Sequence, residues 1–438
     1  MDATRIARKA RSYNNGMSDS LAAWLERIER QHPKSIELGL DRVRAVAQRM
    51  GLQRPAARVI TVAGTNGKGS TVAFVEAIAR AAGWRVGAYT SPHLLAYNER
   101  VRIDGRDADD AVLVAGFEAV DAARADTPLT YFEYGTLCAL WLFQRARLDL
   151  AVLEVGLGGR LDAVNLVDAD VAVVTTVDLD HMDWLGADRE SIGFEKAGIA
   201  RPSKPLVLGE DDPPSRVLGH AYAIGAPAIR ANCDFFFEPI DADSWRWREL
   251  GYAVELPRPR LAAPAQLRNA ATAIAALRAL GRPLPQVAIA TGIATAQLPG
   301  RLQRFDRNGV AIVVDVAHNP QAARELAAWL RQAPIAGRTW AVFAALGDKD
   351  LTGVVAAVAD DFDRWWLAGL EDAGARGLAV DAFAQRLSGT AAAVGEPHPD
   401  VAAALQAALA QASAGDRIVV FGSFHTAAAA LRWLQAPG

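Results

Sequence analysis

The run Val62-Ala63-Gly64-Thr65-Asn66-Gly67-Lys68-Gly69-Ser70-Thr71 constrains this chain more than any other. A β-branched stretch, Arg58-Val59-Ile60-Thr61-Val62, precedes it and reads as a buried strand, and an apolar helical pattern from Val72 to Ala82 follows. Strand, glycine-rich loop and helix in that order form a cradle for phosphates. The glycines let backbone N–H groups turn toward an anion, and the helix N-terminus adds partial positive charge. Lys68 brings a full charge to the outer phosphates, and Ser70 and Thr71 offer hydroxyls near a metal. Gly69 separates the lysine from the first hydroxyl, so the loop is a variant of the G-x-x-x-x-G-K-[ST] spacing.

A chain of 438 residues has room for two or three domains. Alternation of strand and helix organises it. Strands are predicted at 58–63, 85–90, 149–155, 170–177 and 205–209 with helices between most of them, which implies a parallel sheet covered on both faces. Ser20 to Met50 reads as two helices flanking Pro33, 234–256 as an antiparallel hairpin region, and Ala265 to Leu280 as a long helix. A second series starts near 301, after Leu298-Pro299-Gly300. It has strands at 310–315, 339–345, 363–368 and 416–421, and helices at 320–332, 351–359, 380–388, 399–413 and 425–435. The expected fold is therefore α/β: a P-loop parallel-sheet domain over 18–297, then a smaller Rossmann-like α/β domain over 298–438. Residues 1–17 read as a mobile arm, polar and basic without the apolar core of a signal peptide.

Composition narrows the partners. The net charge is −3 with no basic run, so no nucleic-acid partner is expected. No stretch approaches roughly 18 apolar residues, so no membrane span is expected. Two cysteines, Cys138 and Cys233, form neither a disulfide framework nor a zinc site, which fits a reducing cytoplasm. No apolar helical surface stands out, and a monomer is expected.

Four more segments fall just after predicted strands or their helices, where open α/β sheets bind ligands. Thr90-Ser91-Pro92-His93-Leu94, followed by Asn98-Glu99-Arg100-Val101, brings a hydroxyl and an imidazole beside the P-loop; the alternative is a plain Ser-Pro turn. In Leu153-Glu154-Val155-Gly156-Leu157-Gly158-Gly159-Arg160-Leu161-Asp162, Glu154 ends an apolar strand and suits magnesium, a hard cation that takes oxygen ligands. The glycines there lack the full dinucleotide spacing. Asp178-Leu179-Asp180-His181-Met182-Asp183 crowds three acids and a histidine, an arrangement costly without a cation; the alternative is a solvated acidic turn. Lys196, in Phe194-Glu195-Lys196-Ala197-Gly198, reads by itself as a surface lysine.

Taken together, GTNGKGST, TSPHL with NERVRI, TYFEYGTL, LEVGLGGRLDAVN, DLDHMDWLG, EKAGI, LPGRLQ and DVAHNP occur in register along the chain. In this the chain resembles the folylpolyglutamate synthase/dihydrofolate synthase family, within the Mur-ligase-like group of ATP-dependent amide-forming enzymes, from about residue 20 to 430. The resemblance implies that Gly64, Thr65, Asn66, Gly67, Lys68, Gly69 and Ser70 hold the ATP phosphates. It implies magnesium, two ions, on Ser91, Glu154, His181 and a Lys196 carbamylated by carbon dioxide. Asn269, Arg301 and Asp315 resemble nucleotide-contacting positions. His318 resembles a neighbour of the reacting groups, with Asp315 or His318 as the base. Ser423 and His425 correspond to candidates for the incoming amino acid, with a helix cap as the alternative.

The pteridine substrate would lie on Thr130, Tyr131, Phe132, Glu133 and Tyr134, on Leu161, Asp162 and Ala163, and near Ser35, Ile36, Glu37 and Leu38. Aromatic rings offer stacking faces to a flat heterocycle, and a carboxylate accepts from its ring nitrogens. For the three aromatics the alternative is packing of a helix face. Both the TYFEY and ELGL segments are present, as in the bifunctional bacterial type. Such an enzyme joins L-glutamate to dihydropteroate and then extends reduced folates, through an acyl phosphate. Val164 stands where the family often has threonine. Domain closure over ATP would shield that intermediate from water. Two rivals remain at this level: a Mur-type ligase acting on a nucleotide-sugar acid, and a P-loop ATPase switch without ligase chemistry. Only 63 residues precede Gly64, which leaves little room for a separate nucleotide-sugar domain of ~50 residues or more. A dehydrogenase lacks its fingerprint.

Overall fold

The computed structural model describes residues 20–32, 34 and 36–436. The arm at 1–17, Pro33 and the expected substrate position Ser35 lie outside them. The chain folds as two compact units. The first runs to His93 and resumes over Tyr97–Arg260 and Leu267–Ala296; the second holds Leu94–Ala96, Leu261–Gln266 and the chain from Gln297 onward. The division read at Leu298-Pro299-Gly300 is a single cut. The observed division is discontinuous because Leu94 is buried among Val310, Val316 and Ala427 of the second unit.

The first unit is built on an eight-stranded sheet. Its strands are β1 (Ala56–Ala63), β2 (Val86–Tyr89), β3 (Val101–Ile103), β4 (Arg106–Asp107), β5 (Leu148–Glu154), β6 (Val171–Val174), β7 (Leu206–Leu208) and β8 (Ala228–Arg230), in the order β4-β3-β2-β5-β1-β6-β7-β8. All neighbours are parallel except β2–β3 and β3–β4. The central strands are apolar on both faces, as a sheet covered by helices requires. The β3–β4 hairpin was not visible in the sequence, because strands of two and three residues carry no readable period. Phe235–Pro239, Ser244–Glu249 and Tyr252–Pro257 form the antiparallel strands β9, β10 and β11. Trp247 of β10 is buried and its indole N–H donates to the Ala271 carbonyl at 3.1 Å, which fixes this small sheet to the helix Ala265–Ala279.

The helix Lys68–Ala81 starts directly at the end of the P-loop. A second helix, Gln286–Thr295, approaches so closely that a Cβ on Gly292 would stand 2.5 Å from Ile78 Cα. The nucleotide-side helix is thus held by backbone proximity. The helix Tyr131–Ala146 begins with a capping box: Thr130 Oγ1 accepts from Glu133 N at 3.3 Å, and Glu133 Oε2 accepts from Thr130 N at 2.8 Å.

The second unit has a six-stranded sheet, β12 (Gln303–Arg307), β13 (Val310–Val314), β14 (Thr339–Phe343), β15 (Arg364–Ala368), β16 (Glu396–His398) and β17 (Arg417–Phe421). Their order is β12-β13-β17-β14-β15-β16, with only β12 antiparallel to its neighbour. Apolar clusters lie on both faces. The fold class is the expected one, two parallel α/β sheets in series. Among the described residues no helix is long and apolar enough to cross a membrane.

Candidate active site

The ligand-facing groups of the first unit gather at the C-terminal edge of its sheet. The P-loop leaves β1 there and is fastened to the end of β6. Thr65 N donates to Thr176 O at 2.8 Å, Asn66 N to Thr176 Oγ1 at 3.1 Å, and Thr175 Oγ1 to Asn66 O at 2.6 Å. Thr65 Oγ1 accepts from Asp178 N and donates to Asp178 O, each at 3.0 Å. These bonds hold the acidic loop to the P-loop. Gly67 takes φ +87° and a Cβ there would meet Asn269 Oδ1 at 2.5 Å, so Asn269 lies against the loop. Lys68 Nζ donates to Gly64 O at 2.9 Å and Thr65 O at 3.2 Å, so its ammonium curls over the cradle. Ser70 and Thr71 are buried in the first helical turn.

Gly64 has the tightest position. Its φ is +151° and a Cβ would fall 1.9 Å from Thr175 Oγ1. We expect Gly64→Ala to lower the stability of the chain by about 3 kcal/mol, from overpacking plus backbone strain. Denaturant unfolding measures this, and a loss below about 0.5 kcal/mol would contradict the geometry.

Glu154 ends β5 and is buried; its Oε2 accepts from Ser91 N at 3.1 Å, which brings the hydroxyl residue of the β2 edge to the carboxylate of the β5 edge. His181 caps the short helix Met182–Leu185 in the left-handed region, φ +52°, with Nε2 3.9 Å from Asp180 Oδ2. Lys196 lies near the end of the helix Arg189–Ala197, and it is not a surface residue: it is 4% exposed. Burial, then the Lys68 charge, pushes its amine down to about 7, against the pull of Asp180 and Glu210. Among the described residues no group of three or more His, Cys, Asp or Glu side chains forms a metal cluster. The set Ser91, Glu154, His181, Lys196 contains only two residues of those types. Its other donors are a hydroxyl and an amine that would have to become an oxygen ligand.

The expected pterin segments adjoin one another. Gly39 N donates to Leu161 O at 3.2 Å. Arg42 joins two of the segments, pairing with Glu37 Oε1 at 3.1 Å and Glu133 Oε1 at 2.8 Å. Phe132 lies against the Gly156 backbone, where a Cβ would be 2.7 Å from its ring, and 5.9 Å from the Tyr89 ring. Ile36, Leu38, Tyr131 and Leu161 are half-buried, and Ala163 and Val164 are buried. Asp162 is buried with three backbone donors, Gly156 N (3.1 Å), Leu157 N (2.9 Å) and Val164 N (2.9 Å). Burial nonetheless pushes its carboxyl up to about 7.

One expected ring contact is a packing contact. Tyr134 offers no ring face, for it is fully buried and its hydroxyl lies 3.3 Å from Phe117 O and 3.2 Å from Asp121 Oδ1. Helix-face packing is the reading that holds for this aromatic. Glu133 Oε2 accepts from Thr130 N and from Arg42 Nε, while Oε1, 2.8 Å from Arg42 Nη2, is buried without a hydrogen bond among the described residues.

In the second unit, Asp315 follows β13 and is held at both oxygens: Oδ2 accepts from Leu302 N at 2.9 Å and Oδ1 from Ala317 N at 2.8 Å. Burial raises its pKa despite the neighbouring Arg301. His318 Nδ1 lies 2.9 Å from Val316 O, a carbonyl that can only accept, so Nδ1 is the donor in this contact. Arg301 stacks over Phe424 at 5.3 Å. Ser423 is buried and caps the helix Phe424–Gln435, accepting from Thr426 N at 2.9 Å; His425 is exposed one residue into that helix. The cap is the reading the structure gives for Ser423.

Sequence reasoning missed Glu210. It follows β7, is buried, and pairs with Arg189 at 3.2 Å, while burial pushes its carboxyl up to about 7. The signal was available, since an acid just past an apolar strand is also what marks Glu154.

With this geometry in place, comparison with known proteins decides the family. Residues 62–232 match the Mur ligase middle domain and residues 300–424 the Mur ligase glutamate ligase domain. The dihydrofolate synthase/folylpolyglutamate synthase of Escherichia coli is 47% identical over 95% of this chain and 96% of its own length. The chain belongs to the dihydrofolate synthase/folylpolyglutamate synthase family. The Haemophilus influenzae member is 40% identical over 93% of this chain and 96% of its own. The solved structure of E. coli FolC with DHPP and ADP superposes with a TM-score of 0.91 at 46% identity, covering 97% of this chain and 99% of that one. A bifunctional folylpolyglutamate synthase/dihydrofolate synthase with Mn, AMPPNP and L-glutamate bound matches at 0.87 and 46%, covering 94% and 98%. Family membership makes the sheet-edge groups, rather than a dinucleotide turn, the place to look for chemistry.

Proposed function

We infer that this chain is a bifunctional dihydrofolate synthase/folylpolyglutamate synthase. It is an ATP-dependent acid–amino-acid ligase that joins L-glutamate to 7,8-dihydropteroate and to the terminal glutamate of reduced folates. The observation that carries the reading is 47% identity across 95% of the chain to a bifunctional relative.

A carboxylate is a poor acyl donor, because an amine approaching it meets an anion and oxide cannot leave. Phosphoryl transfer from ATP makes the carboxylate a mixed anhydride from which phosphate departs, and the glutamate amine displaces it. Backbone N–H groups of Gly64 to Ser70 and the Lys68 ammonium hold the phosphates in line, with Asn269 beside them. Arg301 and Asp315 contact nucleotide in this reading. Ser91, Glu154, His181 and a carbamylated Lys196 would hold magnesium, two ions, which would supply positive charge against the transferring phosphoryl. The oxygen-rich donor set and the buried, easily deprotonated Lys196 both suit it. Both Asp315 oxygens already accept backbone N–H groups, which favours His318 over Asp315 as the base for the amine. The half-buried Ile36, Glu37, Leu38, Tyr131, Phe132 and Leu161, with Asp162, serve the pterin. The first unit carries ATP and pterin, and the second, which also takes Leu94–Ala96 and Leu261–Gln266, is the C-terminal domain. A cytoplasmic monomer fits the composition.

Mass-resolved products test the whole. Given ATP, L-glutamate and either dihydropteroate or tetrahydrofolate, the chain is expected to release ADP in step with products one glutamate heavier. Absence of both products, or ligation only to a nucleotide-sugar acid, overturns the reading.

A further inference from the structure

Arg100 leads into β3 and is 8% exposed. Its Nε donates to His93 Nδ1 at 2.8 Å. Among the described residues no carboxylate pairs with it, and its two terminal nitrogens donate to no protein acceptor. Arg417, also buried, shows the usual solution: it donates to Ala333 O at 2.7 Å and Thr339 Oγ1 at 3.0 Å. The Arg100 guanidinium instead lies 5.4 Å from the Tyr97 ring centroid and 5.4 Å from that of Tyr131. Two aromatic faces attract a cation but do not satisfy its N–H donors, which leaves the fork of terminal nitrogens available to a ligand.

Its place in the sheet sets what the fork can meet. Arg100 O accepts from Thr90 N at 2.9 Å, so Arg100 stands beside Ser91, whose N–H holds Glu154. The strand order β3-β2-β5-β1 therefore sets Arg100, Ser91, Glu154 and the P-loop in a row along one edge. The guanidinium thus lies on the edge that carries the nucleotide chemistry, against Tyr97 and Tyr131, with two strands separating it from the phosphate cradle.

We propose that Arg100 anchors the reacting carboxylate of the pteroyl acceptor, its terminal N–H groups taking the two oxygens as a fork. This rests on the ligase reading above. A planar guanidinium matches a carboxylate bidentately, and held so the acid is oriented for phosphoryl transfer. Each acceptor must bring its own reacting carboxylate, the benzoate of dihydropteroate or that of the terminal glutamate of a reduced folate, to the same phosphoryl group, so both activities depend on this residue.

Steady-state kinetics of Arg100→Gln and Arg100→Lys test this. The acceptor KM is expected to rise on the order of 10²-fold for dihydropteroate and tetrahydrofolate alike in Arg100→Gln. Arg100→Lys, which keeps the charge and loses the fork, rises less. The KM for ATP and the thermal midpoint stay near those of the parent chain, which a purely structural role for the residue would not allow. An unchanged acceptor KM in Arg100→Lys overturns the proposal, and so does a rise for tetrahydrofolate alone, which would assign Arg100 to a non-reacting carboxylate. A ligand-side measurement needs no variant: the parent chain should bind dihydropteroate far more tightly than its carboxamide, and equal affinity overturns the proposal. Failure of the parent chain to ligate at all would instead indict the ligase reading, so the two failures are separable.

Discussion

Lys68→Ala should lower glutamate ligation on the order of 10³-fold or more while the unfolding midpoint stays close to that of the parent chain. The ammonium donates to Gly64 O and Thr65 O, carbonyls of a loop already fastened to the end of β6 by Thr65, Asn66 and Thr175. Losing those two bonds costs the fold about 1 kcal/mol each at most, because the carbonyls can turn to water. The reaction loses more. The transferring phosphoryl spreads charge over its oxygens, and a preorganised cation beside it is worth about 3–4 kcal/mol to the barrier. ADP release and glutamate incorporation, read beside circular dichroism, give both quantities. Turnover within about tenfold of the parent would remove the P-loop from the mechanism.

The second large effect is expected at Lys196. Lys196→Met should abolish detectable ligation, and in the parent chain activity should fall when bicarbonate and carbon dioxide are depleted. Carbamylation needs a neutral amine. Burial and Lys68 bring the Lys196 pKa to about 7, so near neutrality a large share of the side chain is already unprotonated. In depleted buffer the recovery of activity on adding bicarbonate should quicken as pH rises through about 7. The linkage to stability has a definite sign. Between about 7 and the ordinary lysine value the unfolded chain binds more protons than the folded one, so stability increases with pH across that window, and Lys196→Met removes this contribution. Carbon-13 NMR with labelled bicarbonate reads the modification directly. No carbamate signal in the parent, together with indifference to depletion, would mean that the lysine acts as an amine.

Much of this was legible in the sequence because the site is made of strand ends. An apolar run that ends in a charged or hydroxyl residue, or in a glycine loop carrying one, marks both the strand and the group presented at its tip. Lys68, Ser91, Glu154 and the Asp178-to-Asp183 loop all carry that signal. What was hidden depends on packing between distant segments. The burial of Lys196 comes from tertiary packing, and nothing in its own helix announces it. Tyr131, Phe132 and Tyr134 look alike in sequence, yet turning of the helix sends Tyr134 into the core and leaves its two neighbours half-buried. That Glu133 is held by Arg42, ninety-one residues away, is likewise invisible along the chain. Arg100 sits inside the NERVRI motif with no role legible there, since only the structure shows that no described carboxylate pairs with it.

The turn after β5 has a lasting consequence for what this protein can be turned into. Gly156, Leu157 and Val164 aim their amide hydrogens at a carboxylate from the same segment, Asp162. The segment that most resembles a dinucleotide grip is therefore an internal knot, filled by an anion the chain carries with it. Redesigning this ligase to take a pyrophosphate there would first require evicting that side chain, and with it the clasp that shapes the wall beneath Phe132.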